Sequence, residues 1–261
     1  MGFKPFPVFG RGLARGLGRA DDGGEHITPI SQRILAIKQA NLIGYWKLDE
    51  TTGTTARDSS PTGANGAYAG TFTLNQAGIG DGSKAVSFGG GRVNLTAAIA
   101  ALNGVGVFNP LKGTILCWVK VANAGIWTDA VSRIFLSFGA DANNRIFINK
   151  SASNNTLALF YNAGGVSKAS TMNPFSPINY FSTGITWDKV ADQVKFYVNG
   201  SQNGITATGL GVWVGALASG FTAIADFNSA GSGNNHLGFQ AHVAAWNEVL
   251  TADENAITGI L

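Results

Sequence analysis

Few side chains in this sequence are of types that do chemistry, and their spacing says more than their number. Glycoside cleavage needs two carboxylates facing one cleft, and a pair drawn from a single strand as Glu-x-Asp-x-x-Glu is absent. Asp49 and Glu50 are the nearest acidic pair. Neighbours on a strand point to opposite faces, so these two cannot flank one bond; they read as a turn closing the first strand. The histidines, His26, His236 and His242, form no His-x-x-x-His helix and have no cysteine partner, so a zinc site would have to be assembled from distant parts of the fold. On a regular strand His236 and His242, an even number of positions apart, share one face. No Gly-x-Ser-x-Gly lies between a strand and a helix, and no phosphate-cradling Gly-x-x-x-x-Gly-Lys-Ser occurs. Cys117 is the only cysteine, which excludes an intrachain disulfide. Set among Ile115, Leu116, Trp118 and Val119, it reads as a small buried strand residue, not a reactive thiol. The inventory supplies no catalytic constellation, so no enzyme is expected.

The elements that would position any site are mostly strands. Runs of β-branched and aromatic residues, broken by Gly, Asn, Asp and Ser, predict strands over 43–48, 85–88, 113–121, 132–137, 145–149, 157–161, 181–187, 193–199 and 236–246. About a dozen strands in two stacked sheets would account for residues 41–261. Asn199-Gly200 directly follows the run Lys195-Phe196-Tyr197-Val198 and supplies the two positive-φ residues of a type I′ hairpin. A composition with 36 glycines, 45% hydrophobic and only 13% charged residues suits many short strands joined by tight turns.

Two segments precede that domain. Residues 1–27 are read as an extended Gly/Arg/Phe/Pro arm, with too short an apolar run for a secretory signal and too much Gly and Pro for an amphipathic helix. Residues 28–40 are read as a short helix or linker, with Thr28 as N-cap, Pro29 at the first helical position, and Ile30, Ile34 and Ile37 at helical spacing. Its apolar stripe would lie on the sandwich or on another subunit. Lys4, Arg11, Arg15 and Arg19 precede the first acidic residue, Asp21, and no basic stripe crosses the domain, so nucleic acid is not an expected partner. A spanning helix is excluded by the absence of a long apolar run, so no membrane partner is expected.

The opening Leu42-Ile43-Gly44-Tyr45-Trp46-Lys47-Leu48-Asp49-Glu50, with Arg57-Asp58-Ser59-Ser60 behind it, resembles the start of a laminin G-like, concanavalin A-type jelly-roll domain. The resemblance continues in order through Val86-Ser87-Phe88-Gly89-Gly90, Gly113-Thr114-Ile115-Leu116-Cys117-Trp118-Val119-Lys120, Ile185-Thr186-Trp187-Asp188 and Val194-Lys195-Phe196-Tyr197-Val198-Asn199-Gly200. It closes at Trp246 and the acidic Thr251-Ala252-Asp253-Glu254. It implies an all-β, two-sheet antiparallel jelly-roll sandwich, with the N-terminal arm and one short helix added, and a closing strand followed by a short acidic helix. It implies calcium at the rim, with Asp58 in the loop after the first strand and Asp141 and Asn143 as a second acidic-amide rim. Trp46, Trp118, Trp187 and Trp246 fall in strand motifs that the family buries. Trp127 and Trp213 lie in Gly-flanked, irregular contexts and are the candidates for an exposed, ligand-stacking platform.

An adhesive-type domain with neither secretion signal nor cystines, preceded by an adaptable arm, fits a phage-type virion: particles assemble in a reducing host cytoplasm, and arms order on docking. The expected function is a decoration or fibre protein at the virion surface. Phe3, Phe6, Phe9, Arg11, Arg15 and Arg19 would anchor it to other virion or capsid proteins, and the sandwich would be displayed for adhesion to a surface glycan. A homo-oligomer or symmetric assembly is expected. The alternative is an extracellular bacterial carbohydrate-binding module.

Overall fold

The alternation of aliphatic and polar residues is realised as strands, in a computed structural model that describes residues 28–104 and 107–259. Residues 1–27, with the six residues expected to anchor the chain, lie outside the described residues. In chain order the elements are helix α1 (Ile30–Ala36) and strands β1 (Leu42–Trp46), β2 (Thr55–Ala56), β3 (Gly66–Ala69), β4 (Phe72–Ala77), β5 (Lys84–Gly89) and β6 (Arg92–Asn94). Helix α2 (Ile99–Leu102) follows, then β7 (Lys112–Val121), β8 (Arg133–Asp141), β9 (Asn144–Lys150), β10 (Leu157–Ala163), β11 (Val166–Met172) and β12 (Phe181–Asp188). The chain continues through β13 (Gln193–Val198), β14 (Ser201–Ala207), β15 (Ala223–Ile224) and β16 (Leu237–Trp246) to helix α3 (Ala252–Gly259). The strands beyond the expected dozen are short ones such as β2 and β15, or polar ones such as β11, whose Ser-Lys-Ala-Ser-Thr run carries no apolar alternation.

The strands pair antiparallel into two eight-stranded sheets. The first has the order β14-β13-β12-β7-β16-β5-β4, with β1 beside β16; the second runs β11-β10-β9-β8-β15-β6-β3-β2. In β16, residues Leu237–Gln240 pair with β5, and the segment reaching Trp246 pairs with β1, so one long strand serves two neighbours. The β13–β14 hairpin turns at Asn199 (φ 47°) and Gly200 (φ 72°), with Val198 opposite Ser201, as the sequence predicts. The main core lies between the sheets and includes Trp46, Cys117, Phe138, Ile148, Leu159, Trp187 and Val243.

The first sheet carries a second apolar layer on its outer face. Ile30 and Ile34 of α1 pack there with Leu42, Tyr45, Leu116, Trp118, Ala244, Trp246 and Leu250. The helix stripe therefore rests on the sandwich. Its start differs from expectation. Pro29 is extended at the N-cap (ψ 143°) with no side-chain cap, and the orphan Ile30 N–H donates instead to Asp81 Oδ2 at 2.8 Å, a cap delivered from far along the chain. Helix α3 joins the same face, tied to Trp118, whose Nε1–H donates to the Thr258 carbonyl. The start of α3 is the expected acidic one: Thr251 Oγ1 accepts the Glu254 N–H while Glu254 Oε2 accepts the Thr251 N–H, a reciprocal capping box.

The histidines do not share a face. The β16 ladder slips between Ala241 and Ala244, and His242 takes φ 49°. That bulge re-aims the side chain: His242 Nδ1 lies 2.9 Å from the Tyr45 hydroxyl in the outer layer, whereas His236, which just precedes β16, packs edge-on against Phe135 in the core.

Candidate functional site

Period-2 geometry decides what the second sheet presents outward. In β9, Ile146 and Ile148 enter the core, which sends Arg145, Phe147 and Asn149 to the outside. In β10, Leu157, Leu159, Tyr161 and Ala163 point inward and Ala158, Phe160 and Asn162 outward. The register puts Phe160 directly across from Phe147 and Asn162 across from Arg145. The edge strand β11 adds small exposed side chains, Ser167, Ala169 and Thr171, opposite Asn162, Phe160 and Ala158.

The result is an aromatic floor with a cation set into it. Phe147 and Phe160 stack with centroids 4.5 Å apart and planes 12° from parallel. Phe227, from the loop before β16, meets Phe147 at 5.3 Å and 66°. The Arg145 guanidinium lies 4.5 Å from the Phe147 centroid and 4.3 Å from that of Phe227, with Phe221 at 5.9 Å. Such cation–π contacts contribute about 0.5–2 kcal/mol each, more as water is excluded. Burial pushes the Arg145 pKa below the ordinary guanidinium value. Its Nε, and Oδ1 of both Asn149 and Asn162, are buried and have no hydrogen-bond partner among the described residues. Phe160 and Phe227 remain half-buried, open to an incoming molecule. The outer face of the first sheet, by contrast, is occupied by the layer under α1 and α3.

The site residues expected from the sequence lie elsewhere. Trp127 is fully buried, edge-on to Phe175, with its Nε1–H donated to the Pro177 carbonyl. Trp213 is 7% exposed and packs against Phe108. Neither is an exposed platform: glycine neighbours shape the loops but leave the indoles free to turn inward, where burying so large an apolar surface is favoured. The platform is built from phenylalanine. Its signal was present in Arg145-Ile146-Phe147-Ile148-Asn149 and Ala158-Leu159-Phe160-Tyr161-Asn162, whose alternation sends one aliphatic or aromatic set inward and an Arg/Phe/Asn set outward.

Asp58 is fully engaged with donors. Oδ1 accepts the N–H groups of Tyr45 (2.7 Å) and Ser60 (2.8 Å), and Oδ2 accepts the Ser60 hydroxyl (2.8 Å) and the Ala64 N–H (2.7 Å). Asp141 Oδ1 accepts the N–H groups of Asn143 and Asn144, an Asx turn closing the β8–β9 hairpin. Calcium requires six to eight convergent oxygen ligands. Carboxylates already filled by N–H donors, in separate turns, do not fit it, and no group of three or more His, Cys, Asp or Glu side chains suited to a metal ion occurs among the described residues. The loop after β1 borders an open depression of about 520 Å³ lined by Asp49, Glu50 and Arg57. There Glu50 is tied to the Arg57 N–H and the Tyr68 hydroxyl and so fastens the turn, while Asp49 is exposed.

Two antiparallel sheets with one face sealed by helices and one left bare define a lectin-type β-sandwich. Residues 90–255 match the family model described as the concanavalin A-like lectin/glucanases superfamily, and the chain belongs to that superfamily. No curated protein matches its sequence. Among solved structures it resembles domain 4 of AbnA, an extracellular arabinanase from Geobacillus stearothermophilus, in complex with arabinotriose. The identity is 15% and the TM-score 0.60, over 84% of this chain and 98% of that one. It also resembles the carbohydrate-binding module of the Ruminococcus gnavus IT-sialidase bound to α2,3-sialyllactose, at 14% identity and TM-score 0.51, covering 67% and 96%. The botulinum neurotoxin serotype D binding domain matches at 13% and 0.59; there the chain spans about half of the neighbour, 51%. At such identities the likeness is one of fold. No helix among the described residues is long and apolar enough to cross a membrane.

Proposed function

We propose that this chain is a non-enzymatic glycan-binding module whose ligand lies on the outer face of the second sheet, over the half-buried Phe160, which is backed by the buried Phe147, and beside Arg145 and Asn162. The observation that carries this reading is the half-buried Phe160 ring, stacked on the buried Phe147 and flanked by the exposed small side chains of β11. A pyranose ring offers one C–H face to stack on an aromatic surface and a rim of hydroxyls for polar side chains such as the half-buried Asn162 and the exposed Ser167. Neighbours bound to arabinotriose and sialyllactose support this reading by analogy of fold. The test is a glycan array followed by calorimetric titration of the best ligand. Phe160→Ala is expected to weaken binding about tenfold or more, the order found when a stacking ring is removed, with no loss of fold. Unchanged affinity in that variant, or no glycan bound at all, would overturn the proposal.

Display of this module on a virion, held by Phe3, Phe6, Phe9, Arg11, Arg15 and Arg19, is a separate proposal that rests on the arm's composition. It is checked by light scattering and particle co-sedimentation of the full chain against a chain lacking residues 1–27. Arm-dependent assembly or docking supports it. Monomeric behaviour of both, without docking, sinks it and leaves an extracellular module as the setting.

A further inference from the structure

We infer that Arg145 makes this face selective for acidic glycans, binding an oxyanion on the sugar through the edge of its guanidinium while the ring stacks on the phenylalanine floor. The inference rests on the proposed glycan face and names its ligand class. Unlike Arg33, Arg92 and Arg133, Arg145 has no oxygen to bind, and unlike the exposed Arg57 it is half-buried against rings. Arg133 pairs with Asp129 at 2.8 Å, and Arg92 donates to the carbonyls of Ser229 and Ala230. Arg145 has rings instead, Phe147 and Phe227, and among the described residues it makes no ion pair and its Nε no hydrogen bond.

Acidic groups close in sequence are already spent. Asp141, at the far end of the same hairpin, is held by Asn143 and Asn144. Asp226, beside Phe227, is buried and accepts from the Ser232 N–H and from Asn235 Nδ2. A guanidinium pressed against rings keeps its charge but loses water, and its remaining N–H groups lie in a plane suited to two parallel bonds to a carboxylate or sulfate. Such a cation is costly to leave without an acceptor, so an incoming anion gains more here than at an exposed lysine.

The neighbouring groups set the scale. Asn162 faces Arg145 across one strand spacing of about 4.8 Å, and Phe160 faces Phe147 across the same gap. The Arg145 guanidinium, the Asn162 side chain and the Phe160 ring thus fall within the footprint of one or two sugar rings. The shared chemistry is a sugar-borne oxyanion; carboxylate and sulfate are separated by the assay.

The experiment titrates the full chain with a uronic-acid oligosaccharide, its carboxyl-reduced neutral counterpart, and a sulfated oligosaccharide of matched length. Wild type, Arg145→Gln, Arg145→Lys and Phe160→Ala are compared, each checked for cooperative unfolding. Wild type is expected to prefer at least one acidic probe over the neutral one by about tenfold or more. Arg145→Gln is expected to abolish that ratio while neutral binding persists, and Arg145→Lys to restore it in part. Phe160→Ala should weaken all probes with the ratio retained. Equal binding of acidic and neutral probes by wild type, or a ratio unchanged in Arg145→Gln, refutes the selectivity; a continuing Phe160→Ala effect then leaves the glycan face standing. Probes insensitive to Phe160→Ala, or binding of none, refute both.

Discussion

Replacing Asp58 separates a structural carboxylate from a calcium ligand. Its two oxygens take three backbone N–H groups and one hydroxyl, from Tyr45, Ser60 and Ala64, and so fasten the loop after β1 to the strand itself. A hydrogen bond to a charged group contributes about 1.5–3 kcal/mol where it is buried, and less where water can substitute. These four contacts are partly buried, so Asp58→Ala is expected to cost about 3 kcal/mol in all. Asp58→Asn keeps one acceptor but turns an amide NH2 toward the Ala64 N–H, and should cost about 1–2 kcal/mol. For a chain of this size that translates to a fall in Tm of roughly 6–12 °C and 2–8 °C. The assay is thermal unfolding of wild type and both variants, with calcium and with chelator. The expected order is wild type, Asn, Ala, with spacing indifferent to calcium. A loss below about 2 °C in Asp58→Ala, or a calcium-dependent rise in wild type that this variant abolishes, would refute the reasoning.

Three further outcomes follow from buried groups. Lys150 is fully buried, with its Nζ 2.6 Å from Asp129 Oδ1, so Asp129→Asn strands an ammonium and is expected to cost about 3–5 kcal/mol in chemical denaturation. Burial by itself would raise the Asp129 pKa, but Lys150, the Val131 N–H and Arg133 together hold it below the usual carboxylate value. That contribution is present at neutral pH and is lost as acid titrates the folded-state carboxylate. His236 is pushed down from 6.5 to about 4, chiefly by burial. Between those values the unfolded chain binds the proton more readily, so stability should fall as pH drops from 6.5 toward 4, and a His236→Gln variant should flatten that slope in Tm-versus-pH curves. Trp127→Ala, which empties a site between Phe175 and Phe181, should cost about 3–5 kcal/mol yet leave glycan affinity intact in whatever fraction stays folded.

Strand identity was legible because the apolar pattern has a period of two and the turn chemistry is explicit, as at Asn199-Gly200. Strands whose pairing is set by position and not by side chains, such as Thr55–Ala56 and Ala223–Ile224, left no such trace. The Asp81 cap on α1 was hidden because its partner lies far along the chain, and the His242 bulge because a slipped register is a property of two strands, not one. The tryptophans show where residue type misled. Conspicuous aromatics were assigned to the surface by the looseness of their loops, yet loop composition does not fix which way a large ring turns. The open face was instead spelled in two ordinary strand sequences, where the periodicity that identified the strands also divided inward from outward side chains.

The layer formed by Ile30, Ile34 and Leu250 over the first sheet gives the molecule a back and a front. The chain enters the sandwich at α1, on the sealed back, and α3 ends its described course on that same side, linked to α1 by the Arg33 donation to the Ile257 carbonyl. Thr28 thus leads into the back of the sandwich, while Phe160 and Arg145 lie on the opposite, outer face of the second sheet. A ligand approaching Phe160 and Arg145 therefore meets neither α1 nor α3.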